Sequence, residues 1–285
     1  MSAASPLLSR PTEISDGYVF DLDGTLYLGD NLLPGSARLL EALRELGRRI
    51  AFASNNPTRT PAQYVDKLRG LGIEASEQEV VNSLAVTVDW VRSQAPEARV
   101  FAIAEEPLLR ALHDSGVRLS EDPAEIDLVI ASFDRTLDYA KLQIAFDALW
   151  RREGTRLVAT NPDRYCPTPE GGEPDAAGVI AALEATTGRR CELHFGKPGR
   201  PMMDTVLRRL GLPGERCLMV GDRLYTDLAG ADRASMLGAL VLTGETSADA
   251  VSALEPDAVP DFVLARVDQV LPAAEWERRG WREQA

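Results

Sequence analysis

The chain of 285 residues carries 44 acidic against 31 basic side chains, a formal net charge of −13, with 45% hydrophobic and 26% charged residues. This is the composition of a soluble globular protein with length for one large domain or two ordinary ones, and its negative field argues against partners such as nucleic acid or an anionic membrane. Three widely spaced cysteines without a CxxC pair argue against a disulfide framework or a structural zinc site; residues 1–12 lack a signal-peptide pattern and no apolar run approaches the roughly 20 residues of a membrane span, so the expected location is the cytoplasm.

Tyr18-Val19-Phe20 has high β propensity and runs into Asp21-Leu22-Asp23-Gly24. Strand side chains repeat every two residues, so Asp21 and Asp23 leave toward one side, about 6.5–7 Å apart if the strand stayed extended. That is too far for both carboxylates to bind one small cation. A turn at Gly24 swings Asp23 away and offers its main-chain carbonyl instead. One carboxylate then serves a metal or attacks as a nucleophile, one carboxyl moves a proton, and the loop amides, Gly24 among them, can hold an anion.

Residues 36–46 have helical spacing closed by Gly47, and residues 49–53 read as a short buried strand. The turn Ser54-Asn55-Asn56-Pro57-Thr58 follows, then a helix over 61–71. This alternation predicts a parallel sheet with helices on its faces. Further along, residues 83–93, 105–114 and 138–152 read as helices, and 99–104, 126–131 and 157–160 as strands. Residues 161–174 hold four prolines and two glycines, which fits a long loop or linker rather than helix or sheet. The last third alternates again: a helix over 176–187, a strand over 192–195, the turn Gly196-Lys197-Pro198, a helix over 201–210, a strand over 217–220 ending in Gly221-Asp222, a helix over 226–235 and a strand over 238–242. Residues 276–285 read as a frayed helix, and Trp90, Trp150, Trp276 and Trp281 as packing residues.

In open parallel sheets, residues just past the carboxyl ends of strands gather at one place. That rule collects Asp21, Asp23, Ser54, Lys197, Asp222 and Asp227. So many carboxylates together call for a cation, and oxygen ligands without His or Cys select Mg²⁺ over zinc. Lys197, one of only three lysines, can neutralise a transferring phosphoryl group, while Ser54 and the amides after it, at Asn55 and Asn56, bind its oxygens. The fitting chemistry is in-line attack by an aspartate on phosphorus, then hydrolysis of the aspartyl-phosphate.

The pattern resembles the haloacid dehalogenase (HAD) superfamily of phosphotransferases. Asp21-Leu22-Asp23-Gly24-Thr25-Leu26 matches its first motif, Ser54-Asn55 its second, Lys197 in Gly196-Lys197-Pro198 its third, and Gly221-Asp222-Arg223-Leu224-Tyr225-Thr226-Asp227 its fourth. The Ser-Asn-Asn-Pro, Gly-Lys-Pro and Thr-Asn-Pro-Asp forms look like the NagD-like, p-nitrophenylphosphatase-like branch. The resemblance implies an α/β fold: a HAD-like Rossmannoid core, doubly wound around a parallel sheet, over residues 1–81 and 188–285, with an α/β cap at 82–187 inserted between the second and third motifs. It implies Asp21 as nucleophile and Mg²⁺ ligand, Asp23 as general acid and base whose carbonyl also reaches the metal, and Asp222 as a further ligand. Asp227 would orient metal waters or Lys197. Ser54, Asn55 and Lys197 would bind phosphate, and loop 161–172 would close over the leaving group with Arg164, Tyr165 and Cys166 as candidate substrate contacts. Members often dimerise through the cap, so a homodimer is among the expectations.

The expected activity is Mg²⁺-dependent hydrolysis of a small phosphorylated metabolite such as a sugar phosphate, phosphoglycolate or glycerol phosphate. A phosphomutase with the same intermediate and a non-catalytic phosphometabolite-binding protein are the alternatives. Cys166 stands where the pyridoxal phosphatase type has a substrate-contacting His, which argues against pyridoxal phosphate. Pro174-Asp175-Ala176-Ala177 replaces the Pro-Gly-x-Gly of many relatives. His113 reads as a surface residue and His194 as packing. No Ser–His turn motif, P-loop or calcium-loop spacing is present.

Overall fold

A computed structural model describes residues 8–168 and 171–282. The chain divides into two compact units, Met1–Ala53 with Lys67–Ala75 and Val206–Ala285, and Ser54–Asp66 with Ser76–Thr205.

In the first unit the strand Gly17–Phe20 pairs in parallel with Arg49–Ser54 on one side and Cys217–Gly221 on the other; Leu237–Val241 and Phe262–Leu264 continue outward, also parallel. All four residues of Gly17–Phe20 are buried, as expected of a central strand covered on both faces. Gly17 opens it because a Cβ there would lie 2.8 Å from Leu212 and 2.9 Å from the Cys217 sulfur. The helix Ser36–Glu45 buries Leu39, Leu40 and Leu43 on one stripe, each contributing about 1.5–3 kcal/mol. The helix Ala273–Arg278 places Trp276 in the core, where its indole N–H donates to the Asp268 carbonyl at 2.9 Å.

The second unit has its own parallel sheet, ordered Arg118–Leu119, Arg99–Ile103, Leu128–Ala131, Arg156–Ala159. The helices Tyr139–Arg151 and Ala176–Thr187 pack on it through Leu149, Ile180 and Leu183, against Val129 and Leu157. The expected α/β class is thus observed, with parallel sheets and helices. Among the described residues no helix is long and apolar enough to cross a membrane.

Several local expectations change. Within the stretch expected to lack sheet, Tyr165–Thr168 and Gly171–Pro174 form a two-stranded antiparallel hairpin. Pro167 and Pro174 are accommodated because, among the described residues, each strand has only one neighbour, so a missing N–H can face outward. Residues 192–195 form no named strand; His194 alone of them makes a bridge, to Ala159. The helix expected over 226–235 begins as a π-helical turn, Leu224–Leu228, and becomes α-helical only at Ala229–Arg233. Trp150 is not a core residue: it is 63% exposed and stacks on Phe146. The short strands Tyr27–Leu28, Asn31–Leu32, Val80–Asn82 and Phe262–Leu264 carried too little pattern to be read. Of the frayed terminal segment, residues 283–285 lie outside the described residues.

Candidate active site

Asp21 follows the last residue of the strand Gly17–Phe20, and its main-chain N–H donates to the Val220 carbonyl at 2.9 Å. The turn after it is set by Gly24, at φ +89°, whose N–H donates to the Tyr27 carbonyl at 2.8 Å. Asp222 follows the end of the neighbouring strand Cys217–Gly221, and Asp227 lies in the π-helical turn beyond it. Asp21, Asp222 and Asp227 each present a carboxylate oxygen within 4.8 Å of the others, and Asp222 and Asp227 are buried. The Asp23 side chain is not part of this trio; Asp23 is half-buried and bridges to Tyr27.

The main chain aims these acids. Glu245 N–H donates to Asp222 Oδ2 at 2.6 Å, and Arg223 N–H donates to Asp227 Oδ2 at 3.0 Å. Three glycines make the space: a Cβ at Gly221 would overlap the Asp227 side chain, one at Gly244 would overlap the Asp222 carboxylate, and one at Gly24 would lie 2.7 Å from Asp222 Oδ2. Three carboxylates so close, two of them buried, repel one another unless a cation or protons intervene. An all-oxygen donor set suits a hard cation of the Mg²⁺ type. The residues therefore fit the metal that the motifs imply.

The second unit assembles the other motif residues. Ser54 ends the strand Arg49–Ser54 and is buried; its Oγ lies 3.0 Å from Tyr64 Oη and accepts the Asn56 N–H at 3.2 Å. The Asn55 side chain is a hub. Its Oδ1 accepts the Lys197 N–H at 2.6 Å, and its Nδ2 donates to the Lys197 carbonyl at 2.9 Å and to Asp163 Oδ1 at 3.1 Å. The Asn55 carbonyl accepts from Ser83 Oγ and Asn161 Nδ2, at 2.6 and 3.0 Å. Lys197 is only 2% exposed, so its peptide is clamped while its ammonium is withheld from bulk water. Gly196 is required beside it, since a Cβ there would overlap Asn55 Oδ1.

The hairpin residues reach the same unit. Asn56 Nδ2 approaches Cys166 Sγ at 3.6 Å, Arg164 is exposed, and Tyr165 is half-buried. Asp175 caps the helix Ala176–Thr187 by accepting the Ala176 N–H at 2.5 Å. Arg135 binds Glu105 through two nitrogens at 2.7 and 2.9 Å and lies 3.7 Å from Glu173 of the hairpin. Its hydrogen bonds hold the Glu105 carboxyl below the usual glutamate range.

Sequence reasoning missed Tyr64, Gly244 and Glu245, and it placed Asn161 and Asp163 in the Thr-Asn-Pro-Asp form and the 161–172 loop without their bonds to Asn55. Tyr64 had a usable signal in Thr60-Pro61-Ala62-Gln63, which announces a capped helix start; the others lie in loops distant in sequence from the motifs they support.

Similarities to known proteins place the chain in a family. A haloacid dehalogenase-like hydrolase family model matches residues 18–118 and a second HAD-like hydrolase model residues 194–270. The chain is 33% identical over 270 residues to a protein of Bacillus subtilis named sugar-phosphatase AraL, covering 94% of this chain and 97% of the relative. A 4-nitrophenylphosphatase structure from Thermotoga maritima superposes with TM-score 0.82 at 37% identity over 90% of this chain and 96% of that one. A structure described as a putative nagD protein has TM-score 0.75 at 39% identity, over 82% and 90% of the two chains. The chain therefore belongs to the haloacid dehalogenase-like hydrolases, as a NagD-like phosphatase of phosphoric monoesters.

Proposed function

We propose that the chain hydrolyses a small phosphorylated metabolite, a sugar phosphate being the leading class, in a Mg²⁺-dependent reaction through an aspartyl-phosphate on Asp21. The observation that carries the metal and the nucleophile is the trio of Asp21, Asp222 and Asp227. The sugar-phosphate class is supported by the similarity to the sugar phosphatase over nearly the whole of both chains. Residues 82–187 are assigned as the cap.

Asp21, Asp222 and the Asp23 carbonyl would hold the ion, with Asp227 orienting its waters. Bound Mg²⁺ supplies positive charge that lets a phosphate dianion approach the carboxylates. In the first step an Asp21 carboxylate oxygen attacks phosphorus in line, and the bond from phosphorus to the leaving oxygen breaks. The Asp23 carboxyl gives its proton to that oxygen. In the second step water attacks the phosphorus of the aspartyl-phosphate, the Asp23 carboxylate takes the water proton, and phosphate departs with Asp21 restored. Ser54, Lys197 and the loop amides at Gly24, Asn55 and Asn56 are assigned to the phosphoryl oxygens. Because the Asn55 side chain is committed to Lys197 and Asp163, any Asn55 contact with phosphate falls to its main chain. Arg164 and Cys166 are assigned to the leaving-group side.

The test is phosphate release from p-nitrophenyl phosphate and a panel of sugar phosphates, phosphoglycolate and glycerol phosphate, with Mg²⁺ and with EDTA. Turnover that requires Mg²⁺ and falls at least ~10,000-fold in Asp21→Asn is expected. A folded wild type that binds Mg²⁺ and phosphoesters yet releases no phosphate would overturn the hydrolase reading in favour of a mutase or a binding protein.

A further inference from the structure

We propose that Tyr64 is a positioning residue for phosphoryl transfer: its phenol hydroxyl donates to Ser54 Oγ and so directs the single Ser54 proton to the phosphoryl oxygens. The proposal rests on the phosphatase reading above, in which Ser54 binds the transferring group.

Ser54 and Tyr64 are both buried, at 4% and 2% exposure, with their oxygens 3.0 Å apart. Ser54 Oγ also accepts the Asn56 N–H at 3.2 Å. A serine hydroxyl has one proton to give and two lone pairs to offer. The Asn56 amide is a donor, so it occupies a lone pair. Tyr64 decides what remains. As an acceptor it would take the Ser54 proton, and a lone pair would face the substrate. As a donor it fills the second lone pair, and the proton is left for the substrate. The non-bridging oxygens of a phosphomonoester dianion accept hydrogen bonds and donate none. Only the second arrangement binds them, so the bound state requires Tyr64 as donor. Burial sharpens the choice, because solvent water has little access to replace the phenol.

The chain between the two residues is laced to hold this pairing. Asn56 Oδ1 accepts from Thr58 N–H at 2.9 Å and from Thr58 Oγ1 at 2.7 Å. Thr60 N–H donates to Gln63 Oε1 at 2.8 Å, and Gln63 N–H donates to Thr60 Oγ1 at 3.3 Å. That reciprocal pair is a capping box, and it fixes the first turn of the helix Pro61–Gly70 on which Tyr64 sits. Tyr64 N–H completes the turn by donating to the Thr60 carbonyl at 3.1 Å. The position of the phenol oxygen is thus set by local hydrogen bonds as well as by packing.

The experiment compares wild type, Tyr64→Phe, Ser54→Ala and the double variant with Mg²⁺. It measures kcat and KM for p-nitrophenyl phosphate and the inhibition constant of inorganic phosphate, with melting temperature as the folding control. Tyr64→Phe keeps the ring and is expected to melt near wild type. Its kcat/KM is expected to fall about tenfold, with KM and the phosphate inhibition constant rising together. In the Ser54→Ala background the same change is expected to do nothing further, because Tyr64 acts through Ser54. An active wild type whose Tyr64→Phe variant keeps both constants sinks the Tyr64 proposal alone. So does a tenfold loss that recurs undiminished in the Ser54→Ala background. A folded wild type that neither turns over the ester nor binds inorganic phosphate sinks the phosphatase reading, and this proposal with it.

Discussion

The acidic trio and the Asn55 network meet opposite electrostatic problems. Around Asp21, Asp222 and Asp227 like charges are forced together, and glycines at 24, 221 and 244 clear the space for two of the side chains. Around Asn55 a neutral amide joins the main chain of Lys197 to Asp163 and, through its carbonyl, to Ser83 and Asn161. The first arrangement sets like charges side by side and so favours a cation among them; the second is satisfied as it stands. The difference teaches that damage to the trio should appear in metal dependence, whereas damage to the network should appear in phosphate handling and stability.

The sharpest break in that contrast is Gly244→Ala. The new methyl group would overlap the Asp222 carboxylate, which is aimed by Glu245 N–H at 2.6 Å. The Mg²⁺ concentration for half-maximal activity is expected to rise about 10- to 100-fold, as when a metal ligand loses its support. A Mg²⁺ titration that matches wild type would show that the glycine does not serve the metal site.

Asn55→Ala should give the opposite signature. Removing the amide leaves the buried N–H and C=O of Lys197 without their side-chain partners, at a cost of about 1–3 kcal/mol for each group left unsatisfied. A lower melting temperature and about a tenfold or greater loss in kcat/KM are expected, with the Mg²⁺ requirement unchanged. Equal shifts in Mg²⁺ and phosphate dependence would mean the two groups are not separable in this way.

The smallest effect lies away from both groups, in the Glu105–Arg135 pair. Arg135 hydrogen bonds depress the Glu105 pKa. A carboxyl with a depressed folded pKa adds stability above its unfolded value of about 4.3, and that stability is lost as pH falls through the folded value. Arg135 is half exposed, so the contribution is at most about 1 kcal/mol. The melting temperature of wild type minus that of Glu105→Gln should be constant above about pH 5 and shrink toward zero in more acid solution. A difference independent of pH would remove the ion pair from the account.

Much of this molecule was legible because its signals are local. The strand–helix alternation was readable from buried runs such as Tyr18-Val19-Phe20 and Cys217-Leu218-Met219-Val220, each closed by a turn residue. The pairing of Tyr165–Thr168 with Gly171–Pro174 was not readable, because Pro167 and Pro174 contradict sheet unless each strand has a single neighbour, and neighbour count is a tertiary property. Trp150 was misread for the same reason: its hydrophobicity is local, whereas its 63% exposure depends on what packs against the helix Tyr139–Arg151.

The sequence by itself determined the chemical inventory: acids just past strand ends, a Ser-Asn turn, a lone lysine after Gly196, and no sulfur or imidazole among them. Parallel strands deliver their carboxyl ends to one edge, so the acids past two of those ends, Asp21 and Asp222, could be placed together from spacing alone. Only the tertiary structure decided what each group is held by. Asn55 meets Lys197 across 142 residues and Asp163 across 108, and Ser54 meets Tyr64 across a capped turn. Hydrogen bonds of this kind leave no periodicity, since a single side chain can satisfy a distant backbone wherever folding carries it.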